Sequence, residues 1–476
     1  MNPSAYSSHR NLPPLAGIAS FDEALQPGLS IETCVARLKR HHWAFRRLHG
    51  IFIRRLTAEP LYELKMAFSL HAHYCAEHAA AWRTRIGEMR EPPLGLDVVP
   101  DEALDVFFDE VLAAPSTEAL LVGLYDQALP ALAEALRVHQ RETNRLVDHP
   151  SFRLCRFALI EVEEMLTYGQ GALTSLVSTD TRAGLVVWRQ TLARLLDQAG
   201  GLDGRLPAAP GPVQRPASPP TPVFDPVPRR DDRFPDPYNM GVHAEAFLYD
   251  ESFPPGPKTL MMFYKRLREI DVPEMMASII AETTGKPWDY AVDMTRQLWD
   301  EARHAMMGEV GFIHAGLDWR ELVRVNFTWS LALNTQLTPL ERHAVLYYIE
   351  QGLMPKTGKR FEWEVGLASG DPFAALIQDY DWADEVLHAR IGRDWYVKQI
   401  GDPREAIAFG DRCWTKVLID WESYQRDGRT RHENWWPELY RTWCRDRGLS
   451  PDPRIESFAT SYQTVRADLQ EIGASA

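Results

Sequence analysis

The feature that most restricts how this chain can fold is a proline-rich stretch between residues 207 and 237. It contains eleven prolines, and because proline lacks an amide hydrogen and clashes with the preceding helical turn, no helix can form there. Few apolar side chains accompany the prolines, so we expect an extended, semi-rigid linker. The chain has 476 residues, which is long enough for two domains. The proline-rich stretch predicts where those domains are separated.

Both halves of the chain show apolar residues at helical spacing, and strand signals are almost absent. We therefore predict an all-α fold of two tandem four-helix bundles joined by the proline-rich linker. The predicted boundaries are an N-terminal arm over 1–30, a first bundle over 31–200, the linker region over 201–237, and a second bundle with a C-terminal helical extension over 238–476. In the second bundle, four helical segments should run over 257–284, 287–315, from Thr338 onwards and over 371–400. Gly352 and Pro355 should interrupt the third of these segments.

Charge and cysteine content exclude several classes of protein. The net charge of −14 disfavours nucleic acid or an anionic membrane as a partner. Five cysteines are scattered without any CxxC pair, which fits reduced thiols in the cytoplasm better than a disulfide framework. The first 25 residues lack the basic start and apolar core of a signal peptide, and no apolar run approaches the length of a membrane span.

A Glu-x-x-His pattern occurs twice in the second half, as Glu301 with His304 and as Glu385 with His388. Both lie in predicted helices, where residues three apart project from one face and can bind one metal together. None of the other histidines among the fifteen has a glutamate three residues before it. A single pair of this kind is more often a solvated pair on a helix surface. Two pairs on separate helices indicate a shared metal site.

Two metal ions bridged within a helix bundle need about four carboxylates and two imidazoles. The two further glutamates should come from the helices that precede the two motifs. The candidates are Glu269, Glu274 and Glu282 in the first of these helices, and Glu341, Glu350, Glu362 and Glu364 in the second. We favour Glu274, which lies among apolar neighbours 27 residues before Glu301. We also favour Glu350, which follows an apolar run, whereas Glu341 fits a helix-capping box.

The order Glu, Glu-x-x-His, Glu, Glu-x-x-His on four successive helices resembles the ferritin-like di-iron carboxylate superfamily. The local sequences that carry the resemblance are Asp300-Glu301-Ala302-Arg303-His304, Asp384-Glu385-Val386-Leu387-His388, and Glu350-Gln351-Gly352-Leu353 followed by Pro355. It covers about residues 240–400. It implies two metal ions, iron in the first place with manganese or a mixed manganese and iron centre as alternatives. The ligands that it implies are Glu274, Glu301, His304, Glu350, Glu385 and His388.

The first half resembles a copy of the second half that has lost its metal-binding residues. His78 stands in the place of His304, and Cys75 stands in the place of Glu301. Thr167 stands where His388 would be, 89 residues after His78, against 84 residues between the two second-half histidines. We therefore expect a first bundle without a dimetal centre and with a packing or dimerisation role. The alternative is a different metal site, for which the candidates are His41, His42, His71, His73 and His78.

These features predict a dimetal oxygenase or oxidase that uses O2 to oxidise a small organic substrate, in specialised metabolism for example. Asp300 and Asp384, which precede the two metal-binding glutamates, should pair with an arginine or a histidine of a neighbouring helix. One alternative is a non-catalytic metal-binding or scaffolding protein. Ferroxidase or metal-storage activity is a further alternative, although storage cages use smaller subunits. The expected partners are O2 and a small molecule, with no nucleic acid, no membrane, and a second copy of the chain if a homodimer forms.

Overall fold

The structure, a computed structural model, describes residues 7–90, 95–219, 224–354, 358–418 and 421–462. These residues form helices and no strand, so the predicted all-α fold class is confirmed. The chain divides into two compact units. Unit 1 comprises residues 1–52 and 71–224, and unit 2 comprises residues 53–70 and 225–476. The sequence had placed residues 53–70 in the first bundle.

Six longer helices lie wholly or partly in unit 1. They are α1 (Ile31–Leu56), α2 (Tyr62–Glu88), α3 (Glu102–Leu112), α4 (Thr117–Glu142), α5 (His149–Leu176) and α6 (Val186–Gln198). Short helical turns occur at His9–Asn11, Leu15–Gly17, Phe21–Ala24 and Thr179–Gly184. The side chains of Asp101 and Ser116 accept backbone hydrogen bonds at the starts of α3 and α4, which fixes where these two helices begin.

Helix α4 is the one described helix that is long and apolar enough to cross a membrane by length and composition. Its most apolar window is 72% buried inside the protein, which is the pattern of a core helix. The middle of α4 is a π-helical turn, Val122–Ala128. Burial of this helix accounts for its apolar composition without a membrane.

Unit 2 contains nine longer helices among its described residues. They are α7 (Pro255–Arg268), α8 (Asp271–Glu282), α9 (Trp288–His314), α10 (Thr328–Gln336), α11 (Pro339–Gly352), α12 (Lys359–Ala368), α13 (Pro372–Gly392), α14 (Pro403–Leu418) and α15 (Trp436–Asp446). Shorter helices are Ala244–Leu248, Trp319–Leu322, Trp421–Arg426 and Pro453–Glu456, and Arg393–Val397 with Lys398–Ile400 continues α13.

The core of unit 2 has four sides. Helices α7 and α8 form one side and both pack against α9, which packs in turn against α13. Helices α11 and α12 form the fourth side, since both pack against α13 while α11 also contacts α8 and α12 contacts α7. The two predicted Glu-x-x-His motifs therefore lie on adjacent helices, α9 and α13, that pack directly against each other.

The first predicted helix of this core, over 257–284, is broken into α7 and α8 at Glu269 and Ile270. Pro273 gives the physical reason, because a proline clashes with the carbonyl group four residues before it, which here belongs to Glu269. The expectation of one continuous helix was therefore wrong. The predicted interruption of the third helix is confirmed, since α11 ends at Gly352 and α12 begins at Lys359. Pro355 itself lies outside the described residues.

The proline-rich stretch contributes buried polar groups to each unit. In unit 1, the backbone amide of Ser218 donates a hydrogen bond of 2.8 Å to Glu110. In unit 2, the fully buried guanidinium of Arg230 donates to the carboxylate of Glu274 at 3.0 and 3.1 Å. The proline-rich stretch therefore buries polar groups that its low apolar content did not predict.

Candidate metal centre

Four buried side chains from three helices of unit 2 converge on one point. Glu301 of α9, Glu350 of α11, and Glu385 and His388 of α13 each place a ligand-type atom within 4.8 Å of the others. His388 Nδ1 lies 3.1 Å from Glu301 Oε1 and 3.4 Å from Glu385 Oε2. We call these residues the four-residue group. All four were predicted as metal ligands.

A second cluster lies beside the first and is called the three-residue group. It consists of Glu269 at the break between α7 and α8, His304 of α9 and Asp381 of α13. His304 Nδ1 lies 3.4 Å from an oxygen of Glu269 and 3.4 Å from an oxygen of Asp381. His304 was predicted as a ligand, Glu269 was an unfavoured candidate, and Asp381 was not considered.

Glu301 connects the two groups. Its Oε1 faces His388 Nδ1 at 3.1 Å, and its Oε2 lies 3.6 Å from His304 Nδ1. The imidazole rings of the two histidines have their centroids 5.9 Å apart. A carboxylate that offers one oxygen to each of two neighbouring histidines has the arrangement of a bridging ligand between two metal positions.

The outer nitrogen of each histidine is held by the aspartate that precedes the other motif. His304 Nε2 contacts Asp384 at 3.2 Å, and His388 Nε2 contacts Asp300 at 3.4 Å. Arg303 donates to both aspartates, with 2.8 Å to Asp384. The prediction that these aspartates pair with a histidine or an arginine is confirmed. Such outer contacts orient a metal-binding imidazole and leave its other nitrogen directed at the metal.

Several atoms that face the interior of these groups make no aligned hydrogen bond among the described residues and lie instead against one another at 3.1–3.4 Å. They are Glu269 Oε2, Glu301 Oε1, Glu385 Oε2, and Nδ1 of both His304 and His388. Leaving a buried polar atom unsatisfied costs about 1–3 kcal/mol, so five of them around one space require an explanation. A metal cation fits this donor set, because carboxylate oxygens and imidazole nitrogens suit iron and manganese.

Two buried cationic side chains also contact these carboxylates. Arg266 donates to Asp381 and lies 2.9 Å from an oxygen of Glu269. Lys359, the first residue of α12, places Nζ 2.9 Å from both oxygens of Asp381 and 2.8 Å from Glu385 Oε1. Most contacts of these two cations are with residues of the three-residue group. More of the negative charge is therefore neutralised in the three-residue group than in the four-residue group.

The charges at the site displace the pKa values of its members. Burial lowers the pKa of His304, but its carboxylate neighbours, Asp384 first, outweigh burial and raise it to about 10. Burial and the adjacent carboxylates of Glu385 and Glu301 hold the pKa of Glu350 well above its ordinary value. The site without a metal therefore retains protons on a histidine and on a glutamate, and metal binding would release protons.

Glu274, the sixth predicted ligand, is placed in neither group. Its buried carboxylate lies 3.0 Å from Lys65 Nζ, accepts two hydrogen bonds from Arg230, and accepts a third of 2.7 Å from Ser330. Glu269 takes the expected position beside His304 instead. The reason is the helix break at Pro273, because it changes which face of α7 and α8 points into the core.

One site residue that we did not predict, Asp381, could have been identified from the sequence. Asp381 lies four residues before Glu385, and residues four apart share one face of a helix. The sequence Asp381-Trp382-Ala383-Asp384-Glu385 could therefore have indicated a further carboxylate on the metal-facing side of α13. Lys359 carried no such signal, since nothing in the local sequence distinguishes it from a solvent-exposed lysine.

A cavity of about 410 Å³ adjoins the site within unit 2. Four carboxylates of the two groups line it, namely Glu269, Glu301, Glu350 and Glu385. Its other walls combine apolar and aromatic residues with further charged ones. The apolar and aromatic residues include Val272, Met275, Trp329, Leu333, Ile349, Leu353 and Trp414, and the charged ones are Glu245, Lys265, Arg268 and Asp271. Trp329 and Trp414 are stacked with their ring centroids 4.0 Å apart. A molecule in this cavity would touch the carboxylates directly.

The residues predicted to replace ligands in the first half do not converge in unit 1. Cys75 is buried, Thr167 is exposed and donates to the Glu163 carbonyl, and His78 Nε2 contacts Glu161 at 2.7 Å. Within the described part of unit 1, a different set of metal-ligand types comes together, consisting of Cys34, His139 and Asp148. Of the alternative histidine candidates, His71 instead contacts the hydroxyl of Tyr125 at 2.7 Å.

The Asp148 carboxylate in that set already has several partners. It accepts hydrogen bonds from Arg85 at 2.9 Å, Thr143 at 3.0 Å and Cys34 at 3.3 Å. A carboxylate satisfied in this way fits a network that ties helices together. In that set the two ring nitrogens of His139 lack a hydrogen bond among the described residues, against five atoms in the two groups of unit 2, which are therefore the stronger candidates for a metal centre.

Comparisons with known proteins do not assign this chain to a family: no protein-family model matches it, and neither a curated protein nor a solved structure gives a match.

Proposed function

We propose that unit 2 holds a dimetal-carboxylate centre, with iron as the metal, and that the protein is an oxidoreductase that uses O2 to oxidise a small organic substrate. The observation that carries the proposal is the pair of histidines, each with Nε2 held by an aspartate and Nδ1 directed at unsatisfied carboxylate oxygens. On this proposal the four-sided core of unit 2 is a ferritin-like bundle. Manganese or a mixed centre would use the same residues.

The four-residue group would hold one metal ion and the three-residue group the other, with Glu301 between them. Such a centre, when bound, would supply two of the four electrons that reduce O2 to water, and the substrate or an external reductant would supply the other two. The histidines would bind through Nδ1 while Asp300 and Asp384 fix their orientation. Glu350 accepts a hydrogen bond of 3.1 Å from Gln297, which leaves its other oxygen for a metal.

The cavity favours catalysis over a purely structural metal site. A structural site is closed by protein ligands, whereas a catalytic site keeps access for a reactant. Four of the site carboxylates line the cavity, and its apolar and aromatic side chains would pack against a bound organic molecule. This is the reason to rank an oxygenase or oxidase above the scaffolding alternative. The unpaired state of all five cysteines agrees with the reducing cytoplasm, where we place the protein.

The proposal is tested by loading anaerobic protein with Fe(II) and mixing it with O2 while its absorbance is recorded. We expect tight iron binding and a new visible absorption band after mixing. Glu301→Ala should lower the iron affinity more than about tenfold and abolish the band. The matched control is Glu364→Ala, since Glu364 is an exposed glutamate of α12 that pairs with Arg360. Iron binding without any reaction with O2 would favour the scaffolding alternative, and no iron or manganese binding would refute the centre.

A further inference from the structure

The two metal positions are unequal because a lysine stands at one of them. Lys359 is completely buried, and its Nζ contacts Asp381 Oδ1 and Oδ2 at 2.9 Å and Glu385 Oε1 at 2.8 Å. An ammonium group has three donors, so these contacts use all of them. Asp381 belongs to the three-residue group and Glu385 to the four-residue group, so the ammonium lies at the three-residue group, on the side that faces the other group.

Both oxygens of Asp381, which a metal at the second position would need, are engaged by Lys359, whose Nζ also lies 3.9 Å from Glu269 Oε1. Arg266 adds a further positive charge at Asp381 and at Glu269. The three-residue group therefore keeps only Glu269 Oε2 and His304 Nδ1 as unsatisfied ligand atoms. The four-residue group keeps Glu301 Oε1, Glu385 Oε2 and His388 Nδ1, and Glu301 and Glu350 have no lysine or arginine within ion-pair distance among the described residues.

We propose that the Lys359 ammonium group occupies the second metal position and that the site consequently takes up metal in a fixed order. The inference rests on the proposed dimetal centre. The first ion binds the four-residue group. The second ion binds Glu269, His304 and Asp381 only when Lys359 withdraws, because a dication and an ammonium group repel each other at this distance. The flexible four-carbon stem of the lysine is the part of the side chain that would move in such a withdrawal.

The test is a titration of the metal-free full-length protein with Mn(II), followed by calorimetry and by electron paramagnetic resonance. For the wild-type protein we expect one tight ion with the spectrum of an isolated Mn(II), and a second ion bound at least about tenfold more weakly. Lys359→Met removes the charge and keeps an apolar stem of similar length. It should tighten the second ion by at least about tenfold and give the spectrum of two coupled ions at two equivalents.

Two matched variants separate charge from structure. Lys359→Arg keeps the positive charge, so its second ion should stay weak. Lys265→Met removes another buried lysine of unit 2, one that pairs with Glu362 and not with either metal group, and it should behave like the wild type. Thermal unfolding monitored by circular dichroism confirms that each variant is folded before titration.

Each outcome decides the inference. Equal, tight binding of both ions by the wild type would overturn the inference but not the proposed dimetal centre. The same conclusion would follow if Lys359→Met bound the second ion with the same affinity as the wild type. A wild type that binds one ion while Lys359→Met binds two would support the inference and make the native centre mononuclear. If neither the wild type nor Lys359→Met binds metal, the inference and the proposed function both fail.

Discussion

At the scale of single residues, the contacts between the histidine of each motif and the aspartate of the other motif both orient the histidines and join two helices. Each histidine directs Nε2 to the aspartate that precedes the other motif's glutamate. A hydrogen bond at Nε2 fixes the proton there and leaves the Nδ1 lone pair available to a metal. Helices α9 and α13 are thereby joined by the same residues that would bind the metals.

Glu269 and Glu274 offer a decisive comparison because they lie close in sequence and differ in their surroundings. Glu269→Ala should lower the occupancy of one metal position, since Glu269 lies beside His304. Glu274→Ala should leave metal content unchanged and destabilise the protein by about 3–5 kcal/mol, because it leaves buried Lys65 and Arg230 without their shared carboxylate. Metal analysis and urea unfolding measure the two effects. Loss of metal in Glu274→Ala with normal stability would restore the original sequence prediction.

The sequence could predict four of the site residues because fixed spacing within one helix determines which side chains share a face, and it predicted Glu350 because that residue follows an apolar run. Glu301 with His304 and Glu385 with His388 need no knowledge of tertiary structure. The choice between Glu269 and Glu274 does need it, since they lie 32 and 27 residues before Glu301 and the spacing admits either. Lys359 was unpredictable, because its burial depends on how α12 packs against α7 and α13.

At the scale of helices, proline and glycine determine where the site can form. Pro273 breaks the first helix of unit 2 at Glu269, and this break could have been predicted from the proline itself. Gly308 lets α9 approach α7 closely, since an added Cβ would lie 2.2 Å from the Leu267 amide nitrogen and 2.5 Å from the Phe263 carbonyl oxygen. This contact sets how far His304 lies from the end of α7. The contact could not be predicted from the periodicity of apolar residues in the sequence.

Gly308→Ala should therefore damage both stability and the site. The methyl group would meet backbone atoms that cannot rotate away, so we expect a loss of about 1–3 kcal/mol and weaker metal binding. Gly171→Ala in α5 is the control, because an added Cβ there meets nothing within 4 Å, and alanine in a helix should stabilise by about 0.5–1 kcal/mol. Urea unfolding compares the two variants. Equal stability of both would show that α7 and α9 can separate without cost.

At the scale of the whole molecule, the sequence predicted two helical parts because the prolines interrupt the helical pattern. Their boundaries were harder to predict, since residues 53–70, which comprise the end of α1, the connection and the start of α2, belong to unit 2. These residues supply Lys65, which lies 3.0 Å from Glu274. Contacts between segments this distant in the chain cannot be predicted from the periodicity of apolar residues in the sequence.

If the metal centre lies in unit 2, metal binding should protect only that unit from hydrogen exchange. A ligand stabilises the folded form that binds it, and exchange reports this stabilisation segment by segment. We expect Fe(II), added anaerobically, to slow exchange in peptides covering 260–310 and 345–392, with no change over 129–150. Mass spectrometry of the metal-free and loaded protein measures this, and Glu301→Ala should abolish the protection. Protection over 129–150 would instead locate the metal at Cys34, His139 and Asp148 in unit 1.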